Sequence, residues 1–149
     1  MCGIIAAAST RNVGKILVQG LHRMEYRGYD SAGIALHQLD GVAHLRTLGK
    51  VQLLEDKMIE EKPRSKLGIA HTRWATHGEP SETNAHPHKS NDEVFIVHNG
   101  IIENHLELKA ELEKEGYSFA SQTDSEIIAH LLDFNLKQGM TMIEAMFAS

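Results

Sequence analysis

The only cysteine of the 149-residue chain is Cys2, which directly follows Met1. Methionine aminopeptidases remove Met1 when the next side chain is small, and Cys2 would then carry a free α-amino group. A thiol and an amine on one residue form a nucleophile with its own general base, since an α-amine has a reference pKa of about 7.7–8.0. We therefore interpret Cys2 as a candidate nucleophile that needs no histidine. The alternative is a small buried hydrophobic residue, the commoner role of cysteine.

Four histidines, His71, His77, His86 and His88, lie close together in the sequence, and the His-Pro-His segment could chelate a metal ion. No cysteine lies near them, and their spacing matches neither a helical histidine pair nor a zinc finger. We therefore expect no metal and no other cofactor. Most of these histidines are interpreted as hydrogen-bonding residues of a loop.

The composition is that of a globular domain with one core, at 42% hydrophobic and 23% charged residues. A formal net charge of −5 argues against a general nucleic-acid binder, because such proteins need a basic face. No apolar run is long enough to span a bilayer, and the start lacks the charged region of a secretory signal. A single thiol fits a reducing compartment, so we expect a cytoplasmic protein without nucleic-acid or membrane partners.

A strand and a helix are predicted at the start of the chain. Residues 2–8 are small and apolar without alternation, which is typical of a strand buried on both faces. Asn12 is a suitable N-cap for a helix over residues 13–26. The apolar stripe predicted for this helix comprises Ile16, Leu17, Gly20, Leu21 and Met24.

The dipeptide Asp40-Gly41 predicts the turn of a hairpin between strands at residues 31–39 and 42–48. The polar segment 72–93 is predicted to be a long loop, and loops of that length are often functional. The other elements predicted before residue 99 are a mostly exposed amphipathic helix and two short strands, at residues 50–62, 66–71 and 94–98.

Three capping-box patterns predict the remaining helices. They begin at Asn104, Thr123 and Thr141, and predict helices at residues 104–115, 124–138 and from 142 onward. This mixture of elements indicates an α+β layered domain with antiparallel sheet. Because the chain ends inside the last predicted helix, we expect the sequence to be a fragment of a longer protein.

Several motifs, taken together, resemble one family. They are MCGI at the start, EYRGYDSAG at 25–33, HTRWATHGEPSETNAHPH at 71–88, HNGIIEN at 98–104 and TDSE at 123–126. In order and spacing they resemble the glutaminase domain of bacterial glutamine–fructose-6-phosphate aminotransferases, over nearly the whole chain. The resemblance implies an N-terminal-nucleophile fold, an αββα sandwich in which two antiparallel sheets lie between helical layers.

The resemblance also implies the partners. Residues 2–149 would be the N-terminal portion of the glutaminase domain, whose substrate is glutamine. The sugar-isomerase domains that bind fructose 6-phosphate are absent from this chain, and the full-length enzyme would be a homo-oligomer, a dimer. We expect little or no glutaminase activity from the chain alone.

By the same resemblance, Asn99 and Gly100 would form an oxyanion hole, the first through its side-chain amide and the second through its backbone N–H. Taken alone, Asn-Gly indicates a tight turn, and the two interpretations are compatible. Cys2 would attack the glutamine amide and form a γ-glutamyl thioester.

Arg73 would bind the α-carboxylate of glutamine, since guanidinium and carboxylate pair bidentately, and Asp124 its α-ammonium group. Thr76 and His77 would complete the glutamine pocket, and Trp74 would belong to a loop that closes on the substrate. Asp124 could instead favour a helix dipole from the first turn of a helix, and Trp74 could be a hydrophobic anchor.

The segment EYRGYDSAG leaves two possibilities open. Arg27 could support the surroundings of the nucleophile, or Arg27, Tyr29 and Asp30 could form a buried polar network at the entry to a strand. The competing function for the whole chain is a catalytically silent, amino-acid-binding module of the same fold. Such a module would have no chemical need for Cys2.

Overall fold

A four-stranded antiparallel sheet with the strand order β1-β4-β2-β3 forms the centre of the structure, a computed structural model that describes residues 2–75 and 78–149. The strands are β1 (Gly3–Ala8), β2 (Ser31–Gln38), β3 (Gly41–Leu48) and β4 (Leu67–Arg73). The predicted hairpin is confirmed, but its two-residue turn is Leu39-Asp40 and not Asp40-Gly41, because Gly41 already pairs with Gln38. Gly41 has a φ of 137°, a conformation that favours glycine.

The prediction that residues 2–8 are buried on both faces is wrong. Within the part of the chain that the structure describes, β1 pairs only with β4 and lies at the edge of the sheet. Ile4 is 40% exposed, and burial alternates along the strand. Small apolar residues suit a central strand and an edge strand equally well, because the number of neighbouring strands depends on distant parts of the chain.

Two helices, α1 (Gly14–Met24) and α2 (Val51–Glu61), cover one face of this sheet. Leu17 and Leu21 are fully buried as predicted, but Ile16 is 46% exposed and Val18 is buried in its place. The buried stripe is thus shifted around the helix axis by less than the angle between successive residues, toward Val18. The core between helices and sheet consists of Val13, Leu17, Val18, Leu21, Ala32, Ile34, Leu36, Leu45, Val51, Leu54 and Ala70.

Asn12 does not cap α1 in the predicted way, because Val13 is the N-cap and makes no side-chain bond there. The Asn12 carboxamide oxygen instead accepts from the backbone N–H groups of Gly14, at 3.4 Å, and Ser65, at 3.2 Å. Asn12 therefore ties the start of the helix to the segment that enters β4.

A second, two-stranded antiparallel sheet faces the other side of the first sheet. It consists of β5 (His88–Ser90) and β6 (Val94–Ile96), and α4 (Glu126–Lys137) and α5 (Met142–Ala148) lie on its outer side. The sheets meet where His44 Nε2 donates to the Pro87 carbonyl at 2.9 Å. The helix α3 (His105–Lys114) packs against α4. The arrangement is the predicted α+β fold of two antiparallel sheets with helices outside them.

Two of the three predicted capping boxes do not form. Only Thr141 and Glu144 bond reciprocally, at the start of α5. The Thr123 hydroxyl bonds His88 Nε2 at 2.8 Å, and Asn104 makes no capping bond. In addition, the predicted loop 72–93 contains β5, a strand too short to give a sequence signal. Among the described residues, none of the helices has the length and apolar character needed to cross a bilayer.

Candidate active site

A cavity of about 560 Å³ opens where β1 begins and β4 ends. Six of the predicted site residues line it: Cys2, Arg73, Trp74, Asn99, Gly100 and Asp124. Its size is within the usual range for a small-molecule site. The other two predicted residues, Thr76 and His77, and also Met1, lie outside the described residues.

The register of two paired strands determines the position of Cys2. Gly3 lies opposite Thr72, and its N–H donates to the Thr72 hydroxyl at 3.1 Å. The chain at Cys2 therefore runs beside the residues that follow β4. The backbone N–H of Trp74 donates to Cys2 Sγ at 3.2 Å, and the Trp74 carbonyl lies 3.7 Å from the same sulfur. An N–H donor aimed at sulfur stabilises a thiolate.

Arg73 is only 4% exposed and connects the cavity with the next loop. Its guanidinium donates to the carbonyls of Gly78, at 3.2 Å, and Glu79, at 3.5 Å. It also lies 3.8 Å from the Asp30 carboxylate. Asp30 in turn accepts from the Ala75 N–H, and its own N–H donates to the Arg73 carbonyl at 2.7 Å. Asp30 therefore fixes the backbone on both sides of Trp74.

The Trp74 side chain is 52% exposed and rests on Gly28. A Cβ atom at Gly28 would lie 2.7 Å from Trp74 Cζ3, and Gly28 has a φ of 74°. Both facts require glycine at this position of the EYRGYDSAG segment. The indole thus packs on the backbone beside the cavity and is not an anchor in the core.

In the predicted polar network of Arg27, Tyr29 and Asp30, the last two residues have separate partners among the described residues. The Tyr29 hydroxyl donates to Glu25 and accepts from the Val51 N–H at 2.8 Å, so Tyr29 holds the start of α2. The Arg27 guanidinium lies over the Tyr26 ring, 5.5 Å from its centroid. Asp30 contacts Arg73 and Ala75, the residues on either side of Trp74.

Asn99 and Gly100 reach the cavity from the other sheet, in an irregular segment after β6 and not in a hairpin turn. Asn99 Oδ1 accepts from His71 Nε2 at 2.8 Å, and Asn99 Nδ2 lies 3.5 Å from the Cys2 carbonyl oxygen. A Cβ atom at Gly100 would lie 2.6 Å from His98 Nε2, so a larger residue would collide with that ring.

Asp124 is 7% exposed and precedes α4 by two residues, so it is not in the first turn of the helix. The alternative role as a first-turn carboxylate is therefore wrong. Asp124 Oδ2 accepts from the Ile102 backbone N–H at 2.7 Å. This bond joins the segment before α4 to the segment that carries Asn99 and Gly100.

Comparison with known proteins adds to this geometry. Residues 71–149 match the model of the glutamine amidotransferase domain, which is more than half of the chain. The chain belongs to that family. Glutamine–fructose-6-phosphate aminotransferase (isomerizing) of Escherichia coli is 57% identical over 146 residues, which cover 97% of this chain and 24% of the relative. The enzyme of the same name from Vibrio parahaemolyticus is 56% identical over the same shares.

The amidotransferase domain thus spans about a quarter of the length of these relatives, which are enzymes. Two solved structures share its fold. Glutamine phosphoribosylpyrophosphate amidotransferase from B. subtilis, complexed with ADP and GMP, has a TM-score of 0.79 at 24% identity, over 98% of this chain and 31% of that one. An allosteric regulatory enzyme of purine biosynthesis has a TM-score of 0.80 at 25% identity, over 98% and 32%.

Three buried histidines lie next to one another beside the cavity of this amidotransferase domain, and the middle one, His86, lines the cavity. The ring centroids of His71 and His86 are 4.2 Å apart, and those of His86 and His88 are 4.3 Å apart. Burial lowers the pKa of His71 to about 4 and that of His88 to about 3, and it also lowers the pKa of His86. All three rings are therefore neutral near pH 7.

His71 lies in β4, in agreement with the predicted strand at 66–71, whereas His88 lies in β5 and not in the predicted loop. Both are hydrogen-bonded, His71 to Asn99 and His88 to Thr123. Both ring nitrogens of His86 lack a hydrogen-bond partner among the described residues. Among the described residues, no group of three or more His, Cys, Asp or Glu side chains could hold a metal ion.

Sequence reasoning missed two side chains at this site. His71 contacts Asn99 directly, and the His98 ring lies between Gly100 and the Ser125 hydroxyl, 3.0 Å from the latter. A signal for His71 was present, because alternate residues of a strand share a face. His71 and Arg73 are two residues apart in β4, so a site that includes Arg73 should also include His71.

Proposed function

We propose that this domain hydrolyses the side-chain amide of glutamine with Cys2 as the nucleophile. The observation that carries the proposal is the shared cavity, in which the Cys2 thiol lies beside Asn99, Gly100, Arg73 and Asp124. Cleavage of the side-chain amide of a free amino acid requires a nucleophile, oxyanion donors, and charged groups that bind the α-carboxylate and the α-ammonium group. The cavity holds a thiol, two candidate oxyanion donors and two side chains of opposite charge. The membership of the family supports the same reaction.

In the proposed first half-reaction, the α-amine of Cys2, freed by removal of Met1, accepts the thiol proton. The sulfur then bonds to the amide carbon of glutamine, and the carbonyl oxygen becomes an oxyanion. The side-chain N–H₂ of Asn99 and the backbone N–H of Gly100 stabilise this oxyanion, and one such donor typically lowers the barrier by about 3 kcal/mol. When the oxyanion collapses, the C–N bond breaks and ammonia leaves with the proton returned by the amine.

In the second half-reaction, water attacks the carbonyl carbon of the γ-glutamyl thioester. The α-amine accepts a proton from this water, and the same oxyanion donors act again. The C–S bond then breaks, glutamate is released and the sulfur recovers its proton. The Trp74 N–H bond to sulfur supports both steps, because it stabilises the thiolate before attack and as the leaving group.

Recognition of glutamine follows from charge. Arg73 is proposed to bind the α-carboxylate and Asp124 the α-ammonium group, with Trp74, Thr76 and His77 completing the pocket. The buried Asp124 carboxylate lines the cavity, and its Oδ2 is anchored by the Ile102 N–H.

The acceptor is proposed from the relatives. Their name mentions fructose 6-phosphate, so we propose that residues 2–149 supply ammonia to that sugar within an enzyme of this type. The sugar itself would bind outside the domain described above.

The proposal is tested by incubating the purified protein, as its gene encodes it, with glutamine and measuring glutamate and ammonia. We expect equal amounts of both products, and less turnover of asparagine, because its side chain is one methylene shorter and changes the separation between the amide and the charged α-groups. Binding of glutamine without release of either product would identify a silent amino-acid-binding module instead.

A further inference from the structure

His71 contributes to the site in a way that the proposed chemistry does not include. It lies in β4 with 1% exposure, and its Nε2 is 2.8 Å from Asn99 Oδ1. Asn99 is a proposed oxyanion donor, and a carboxamide can present either its N–H₂ group or its oxygen to a given neighbour. The group that faces Cys2 therefore depends on what holds the other end of the carboxamide.

Two contacts agree on one orientation of Asn99. Its Oδ1 faces His71 Nε2, and its Nδ2 lies 3.5 Å from the Cys2 carbonyl oxygen. In the reverse orientation, two oxygens would face each other beside Cys2. The observed orientation presents the N–H₂ group to the nucleophile.

The His71 ring is suited to enforce this orientation. Since Asn99 Oδ1 only accepts hydrogen bonds, Nε2 must carry the proton. A neutral imidazole has one N–H, so Nδ1 is then bare, and Nδ1 is buried without a partner among the described residues. Burial lowers the pKa of His71 to about 4, with Arg73 adding to the effect, and this keeps the ring neutral.

The ring also has little freedom to turn. His71 is paired on both sides, with Ile4 in β1 and Gly33 in β2. The His86 ring lies against it with 4.2 Å between the centroids. A Cβ atom at Gly33 would lie 2.1 Å from the His86 carbonyl oxygen, so the absent side chain is what allows this stack to sit against the sheet.

We propose that His71 is a positioning residue that donates its Nε2–H to Asn99 and thereby directs the Asn99 N–H₂ group toward the oxyanion. The bond to Oδ1 also polarises the carboxamide, which makes its N–H groups better donors. His71 touches neither the thiol nor the oxyanion in this scheme. This role rests on the proposed glutaminase function, and His71 has no role in the site that the motifs predict.

The test compares two substitutions of similar polarity, His71→Asn and His71→Gln. A glutamine side chain places an amide nitrogen near the position of Nε2, whereas an asparagine side chain is too short. We expect kcat for glutamine hydrolysis to fall by about 10-fold to 100-fold in His71→Asn. In His71→Gln we expect most of the wild-type kcat to be retained. KM should change little in either variant. Equal loss in both variants, or no loss in either, would overturn the proposal.

A double-mutant cycle separates positioning from packing. In an Asn99→Ala background, His71→Asn should cost less than about 2-fold, because there is no carboxamide left to orient. The full penalty in that background would contradict the proposal. His130→Asn is the matched control for the loss of a buried histidine. His130 is also buried and bonds Ser90, but it does not line the Cys2 cavity.

One measurement needs no variant. In ¹⁵N-histidine-labelled protein, the His71 ring should carry its proton on Nε2 from about pH 5.5 to 8, and a proton on Nδ1 would overturn the assignment. Different results would contradict the proposed glutaminase function and the proposed role of His71. If wild-type protein releases no glutamate, the proposed function fails; if it is active and His71→Asn is equally active, only the role of His71 fails.

Discussion

Cys2 and Trp74 lie at the ends of two paired strands, whereas Asn99 and Asp124 lie in segments without regular secondary structure. On the first side of the cavity, backbone hydrogen bonds position the reacting group. On the second side, individual side chains do so, as His71 does for Asn99, while Asp124 itself bonds the Ile102 N–H. A substitution on the first side should therefore leave the geometry intact, and one on the second side should disturb it.

The largest expected effect is that of Cys2→Ala. Removing the nucleophile should lower glutamine turnover by more than about 10⁴-fold. Cys2→Ala also removes the Trp74 N–H bond to sulfur, but the Gly3 N–H bond to Thr72 and the β1–β4 ladder remain, so binding of glutamine and the melting temperature should change little. Steady-state kinetics, calorimetric titration and thermal unfolding check these three points. Retained turnover would remove Cys2 from its assigned role.

The second effect tests the other side of the cavity. Asn99→Ala removes one oxyanion donor and should lower kcat by about 10²-fold to 10³-fold with a smaller change in KM. Asn104→Ala is the control, since Asn104 lies in the same stretch of chain but makes no capping bond at α3 and does not line the cavity. Similar kinetics for the two variants would argue against an oxyanion hole at Asn99.

A third, smaller effect is expected at the support of Trp74. In Gly28→Ala, the new methyl group would collide with the indole, displace it and raise KM for glutamine by several-fold. Gly116→Ala is the matched control, because Gly116 also has a positive φ, of 90°, yet a Cβ atom there would meet nothing within 4 Å. Equal KM values in the two variants would show that the position of Trp74 does not matter for binding.

The last effect concerns stability instead of activity and tests the buried histidines. Burial lowers the pKa of His44 and His71 to about 4 and that of His88 to about 3, against about 6.5 in an unfolded chain. Below pH 6.5 the unfolded chain therefore binds more protons than the folded one, and stability falls as the pH decreases toward 4.

Urea unfolding at pH 7.5, 6 and 5 measures this dependence. One histidine with the shift of His71 should lower the free energy of unfolding by on the order of 2 kcal/mol at pH 5. His44→Gln, which can keep the bond to the Pro87 carbonyl, should reduce the slope. A free energy of unfolding that stays constant over this range would contradict the neutral, buried state of these rings.

How far the sequence predicts the fold depends on whether a feature is local. The β2–β3 hairpin and the box at Thr141 need only neighbouring residues, and both form, although the hairpin turn lies one residue before Asp40-Gly41. The edge position of β1 depends on strands far away in sequence. The Thr123 pattern fails for the same reason, because its hydroxyl finds a partner in His88, 35 residues away.

The candidate site also has features that the sequence predicts and features that it does not. Motif resemblance was sufficient to choose six described residues that share one cavity. It could not give their contacts, because the His71–Asn99 bond joins a strand of the first sheet to the irregular segment that follows the second sheet. Nor could it show that Asp124 precedes α4 and bonds Ile102, since that depends on where the helix begins.

The most direct test of Cys2 as an N-terminal nucleophile is the intact mass of the protein before and after incubation with a diazoketone analogue of glutamine. We predict that Met1 is absent and that one adduct forms, that peptide mapping locates it on Cys2, and that excess glutamine slows its formation. A protein that retains Met1 and leaves Cys2 unmodified would contradict the account.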